Sequence, residues 1–112
     1  MRVRCIQQLH EEAVYSDLTV GNVYRVVGID GEFFRIISDE GRPYLFPAAV
    51  LEVVDAAEDE DWVTTYDEDG ERCSYPRELS APGFFEDYFD DVPAAHIAFR
   101  AYATRVFRGS SD

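Results

Sequence analysis

Carboxylates are the groups with chemistry in this chain, and most of them lie in one stretch. Between Asp55 and Asp91 fourteen Asp and Glu face two Arg. Asp67-x-Asp69-x-Glu71 has the alternating acids of a calcium loop, and any close carboxylate pair could serve acid–base chemistry. Neither pattern is complete. An EF-hand loop needs Gly sixth and a bidentate Glu twelfth, whereas Gly70 is the fourth residue from Asp67. Acid–base carboxylates need a cleft that shifts their pKa, and acids this abundant pair by chance. His10 and His96 lack ligand spacing to each other or to a cysteine. Ser16, Ser38, Ser74 and Ser80 have no nucleophile-elbow context, and no Gly-rich phosphate loop is present. The expectation is therefore a protein that is not an enzyme and that carries no metal or cofactor.

What remains is recognition. The acidic stretch is interleaved with Trp62, Tyr66, Tyr75, Phe84, Phe85, Tyr88 and Phe89. In 84–91, helical spacing puts Phe84 with Tyr88 and Phe85 with Phe89. The rings would seal a core while the acids meet water, and an exposed ring edge would serve as an interface anchor. Trp62, Asp67, Asp69, Phe85, Glu86, Asp87, Asp90 and Asp91 are the predicted partner contacts. A field of one sign draws partners of the other, so a basic protein is expected. Direct nucleic-acid or anionic-membrane binding is disfavoured, because phosphate contacts need a positive footprint.

The charge is uneven along the chain. Residues 1–54 hold eight acids and five Arg, and residues 92–112 hold one acid and three Arg, within a total of −13 over 112 residues. All ten basic residues are Arg, which fits a coding bias. A hydrophobic fraction of 46% can build a core, and the length suits one domain. Cys5 and Cys73 are far apart, and the N-terminus lacks a signal-peptide apolar run. A reducing compartment, the cytoplasm, is expected, with a Cys5–Cys73 disulfide the weaker alternative.

The elements that must position these residues are mostly strands. Val3 and Cys5 alternate with Arg2 and Arg4, predicting an opening strand, and residues 10–17 read as a polar connector. Residues 23–29, 33–38, 43–47 and 51–54 read as further strands. Asp30-Gly31 predicts a type I′ hairpin, and Ala48-Ala49-Val50 a single helical turn. Leu-Thr-Val-Gly-x-x-Tyr-x-Val, then Phe-x-Arg-Ile, then Asp-x-Gly-x-Pro-Tyr-x-Phe-Pro and Leu-Glu-Val-Val resemble small bacterial SH3-like domains over residues 2–54. The resemblance implies a five-stranded SH3-like barrel in an α+β chain and is nearly silent on function. Beyond it, residues 62–66 and 72–75 predict a hairpin with Asp69-Gly70 in its turn, and residues 84–90 a short helix. A C-terminal helix follows over 92–108, with Asp91 near its N-cap, Pro93 first, and Ile97, Tyr102 and Val106 as apolar contacts. Residues 109–112 read as a frayed tail.

In size, acidity and fold class the chain is similar to bacterial immunity proteins, which cover the catalytic cleft of a toxin. That similarity implies a toxin inhibitor. A nucleic-acid mimic, with its acids in a regular row, is the alternative, and a small-ligand binder a third.

Overall fold

Alternation of side chains across a pleat builds β1 (Arg2–Cys5), where Val3 and Cys5 are fully buried and Arg2 and Arg4 face out. The computed structural model describes residues 1–109 and is mostly β, with α-helices at its C-terminal end. Two compact units divide at Tyr75 and Pro76.

In the first unit, β2 (Leu9–His10) and β3 (Ala13–Val14) form a small hairpin where the sequence suggests a connector. Its turn is Glu11-Glu12, both with positive φ, so none of the Asn or Gly that usually announce such a turn is present. Then come β4 (Val23–Asp30), β5 (Phe33–Ile37), β6 (Pro43–Pro47), a 3-10 turn at Ala48–Val50, and β7 (Leu51–Asp55). They pair antiparallel in the order β6-β5-β4-β1-β7. β4 is long and irregular between Val26 and Gly28, which lets its start pair with β1 and its end with β5. The sheet does not close on itself among the described residues. Val3, Leu18, Val26, Ile36, Phe46 and Val50 lie at its core.

The β4–β5 turn departs from the type I′ expectation. Asp30 pairs with Phe33, so Gly31 and Glu32 are the central residues, and only Gly31 has positive φ, at 60°. That is the pattern of a II′ turn, which needs Gly at the first central position alone.

Two further strands, β8 (Trp62–Tyr66) and β9 (Arg72–Pro76), form the expected hairpin. It is not a separate appendage to residues 2–54. β9 pairs with β4 at Ile29↔Ser74 and Asp30↔Cys73, and Gly31 N–H donates to Arg72 O at 2.8 Å. Tyr75 lies on Gly28 so closely that a Cβ there would be 2.1 Å from the ring. Arg35, only 8% exposed, fixes the ring: its Nε donates to Tyr75 Oη at 3.0 Å and its Nη1 to Pro43 O at 2.7 Å. Both thiols are free, Cys5 buried and Cys73 half-buried, and burial is the first cause that raises the pKa of each.

The second unit opens with a 3-10 turn at Arg77–Leu79, followed by α1 (Phe84–Phe89) and α2 (Pro93–Gly109). His96 N–H donates to Val92 O, which makes Val92, not Asp91, the residue that caps α2. Ala95, Phe99, Tyr102 and Val106 form its buried face. Ile97 is 69% exposed, a correction to its expected packing role: it lies off the stripe that the buried residues trace. Gly109 ends α2, and 110–112 of the expected tail lie outside the described residues.

Candidate interaction surfaces

The predicted contact residues fall into two groups. Trp62, Asp67 and Asp69 belong to the first unit, and Phe85, Glu86, Asp87, Asp90 and Asp91 to the second.

In the first group the hairpin loop is built by a carboxylate. Asp67 Oδ1 accepts from the N–H groups of Asp69 and Glu71, both at 2.9 Å. Asp67 N–H donates to Glu71 O, and Gly70 N–H donates to Asp67 O, each at 3.0 Å. Gly70 takes the left-handed conformation, at φ 80°, that closes such a loop. One oxygen of Asp67 is therefore engaged in holding the turn, while the side chains of Glu68 and Asp69 face solvent. Trp62 is half-buried and packs against the first unit's core, with Nε1 buried. The ring therefore has one side on the core and part of its surface in solvent.

In the second group the rings turn inward. Phe85 and Tyr88 meet Phe99 of α2 edge-on, at centroid distances of 6.3 Å and 5.3 Å. His96 stacks on Tyr88 at 4.3 Å, and its Nε2 lies 2.8 Å from Tyr88 O and 3.3 Å from Asp91 Oδ1. This histidine thus joins both ends of the α1–α2 connection. Asp91 holds a φ of 59°, which reverses the chain between the helices. Tyr88 is buried and Phe84, Phe85 and Phe89 are half-buried, while Glu86, Asp87, Asp90 and Asp91 are exposed.

Arginines neutralise other acids. Arg4 pairs with Glu52 at 3.1 Å, Arg25 with Asp59 at 3.0 Å, Arg72 with Glu58, and Arg105 with Glu78. Glu86, Asp87 and Asp90 have no Arg partner among the described residues, so α2 does not absorb their charge through Arg105.

One further carboxylate has a defined environment. Asp39 accepts from Thr19 Oγ1 at 2.6 Å and from Tyr24 Oη at 2.7 Å. These two bonds, Thr19 first, hold its carboxyl below the ordinary range, while burial, first of all, raises the Tyr24 phenol.

Among the described residues no three His, Cys, Asp or Glu gather as metal ligands, and no helix is long and apolar enough to cross a membrane. Compared with protein-family models, curated proteins and solved structures, the chain matches none.

Proposed function

We propose that this chain is an acidic protein-interaction domain that binds a basic partner. In its most specific form it is an inhibitor or immunity protein that covers the basic active-site cleft of a bacterial toxin. One observation carries this reading: α1 turns Phe85 and Tyr88 toward α2 and leaves Glu86, Asp87, Asp90 and Asp91 in solvent, three of them without an Arg among the described residues. Asp69 adds an exposed carboxylate on the first unit. Asp67, Trp62 and Phe85 then act by holding these surfaces in shape. The order β6-β5-β4-β1-β7, with the irregular β4 shared by two ladders and a 3-10 turn before β7, supports an SH3-like scaffold left open. The cytoplasm is the proposed location. A nucleic-acid mimic gains less support, because the exposed acids lie in loops and in a six-residue helix rather than along one long row.

The test is the association rate with a partner isolated from the host. The rate should fall at least tenfold, as an order of magnitude, between about 50 and about 500 mM NaCl. Neutralising Glu86, Asp87, Asp90 and Asp91 to their amides should give a similar loss at low salt. A rate insensitive to both changes would remove the electrostatic basis.

A further inference from the structure

An open groove of about 580 Å3 lies in the first unit, and none of the contact residues named above lines it. One wall is the β2–β3 hairpin. Its register, Leu9↔Val14 and His10↔Ala13, sends His10, Ala13 and Tyr15 to one face of the hairpin, and these three line the groove. Tyr15 is anchored by an edge-on contact with buried Phe46, centroids 5.8 Å apart. The other side is formed by Pro47, Ala48 and Ala49, and Ala48 N–H donates to Glu32 O at 3.0 Å, tying that turn to the β4–β5 connection. Phe33, the cross-strand neighbour of Pro47, contributes a ring that is 45% exposed.

Among the described residues the charges that line the groove are Glu11 and Glu32, with His10 Nε2 3.9 Å from Glu11 Oε2, and no Arg lines it. Glu11 and Glu12 form the hairpin tip with φ of 49° and 70°. The left-handed region costs a glutamate about 1–2 kcal/mol, which Asn-Gly would largely avoid. Glu11, which lines the groove, is thus held in a backbone conformation that disfavours its residue type.

We propose that this groove docks an extended segment of a partner protein in which arginine or lysine alternates with large apolar residues. The apolar side chains rest on Tyr15, Phe33 and Pro47, and the cations sit beside Glu11 and Glu32. Charge complementarity selects this occupant: the carboxylates repel an anionic ligand, and a second copy of a chain of net charge −13 would meet like charge. The volume lies within the about 300–1,000 Å3 usual for binding sites and accommodates several side chains. The proposal rests on the partner being basic, but assigns its recognition to a surface other than residues 84–91.

The test is a titration of the 15N-labelled full chain with two synthetic peptides of equal charge. One alternates Arg with Leu, and the other alternates Arg with Gly. The Arg–Leu peptide should shift the amides of His10, Ala13, Phe33 and Ala48. It should bind at least about tenfold tighter than the Arg–Gly peptide, as buried aliphatic side chains require. Glu11→Gln and Glu32→Gln should each weaken it by up to about fivefold. Phe33→Ser should weaken it while thermal melts remain cooperative, since that ring is already half exposed. Equal affinity for the two peptides, shifts confined to residues 84–91, or no binding of either peptide would each overturn the groove assignment. In those cases salt-dependent association with the native partner would still uphold the acidic reading, whereas its loss would sink that reading separately.

Discussion

At the scale of single residues, two sites make opposite demands on the backbone. Gly28 is in β4 because Tyr75 occupies the space of a side chain, and Arg35 holds that ring in place. Gly28→Ala should destabilise the chain by about 3 kcal/mol, the upper range of overpacking a core, as read from urea unfolding. Gly21 has φ 93° and open space around it, where a Cβ would meet no atom within 4 Å, so Gly21→Ala should cost only about 1 kcal/mol of backbone strain. Equal losses would mean that the ring yields. Asp39 gives a pH signature. Its carboxyl titrates below the ordinary range because Thr19 and Tyr24 donate to the ionised form. The unfolded chain then binds this proton at higher pH than the folded one. The stabilisation is therefore complete above the ordinary Asp value of about 3.9 and vanishes as pH falls through the lower folded value. Melting temperatures of the wild type and Asp39→Asn should differ at neutral pH and converge as the solution is acidified below about pH 4. A gap that persists in acid would show that the hydrogen bonds matter without the charge.

At the scale of elements, the β8–β9 loop depends on one carboxylate. Asp67→Ala removes the acceptor for the N–H groups of Asp69 and Glu71, which are left to water. A loss of about 1 kcal/mol is expected, with faster amide exchange at both positions. Asp69→Ala should leave stability within about 0.5 kcal/mol, because its side chain faces solvent. Asp67 and Asp69 look equivalent in the sequence, and only the path of the chain separates a turn former from an exposed acid. Similar logic marks what was legible. Strands β4, β5, β7 and β8 follow from their β-branched residues, β6 from its bracketing prolines, β9 from the Asp69-Gly70 turn before it, and α1 from its paired rings. The β2–β3 hairpin was hidden because Glu11-Glu12 carries no turn signal, and with it the groove that its face lines. Ile97 misled because one apolar residue fits a helical stripe as well as its neighbour; the stripe is fixed only by what packs on Phe99 and Tyr102.

At the scale of the whole chain, the net charge of −13 is a stability term as well as a recognition device. Two effects of salt compete. Screening weakens the Arg–carboxylate pairs Arg4–Glu52, Arg25–Asp59, Arg72–Glu58 and Arg105–Glu78. These are at least partly exposed, so each contributes roughly 0–1 kcal/mol. Screening also relieves repulsion among the unpaired acids, which a Debye length of about 30 Å at 10 mM transmits across many residues. The surplus of like charge outnumbers the pairs, and the pairs act at contact distance, well inside the Debye length, whereas the repulsion acts over longer separations that salt screens more fully. The melting temperature should therefore rise between about 10 and about 300 mM NaCl, where the Debye length drops below about 8 Å. Neutralising Glu86, Asp87, Asp90 and Asp91 should raise the low-salt melting temperature and flatten this dependence. These acids would then be held against a stability cost, as expected of a surface kept for a basic partner. A melting temperature that falls with salt, or is unchanged by that substitution, would mean that these acids carry no stability cost and would remove this argument for a surface kept for a basic partner.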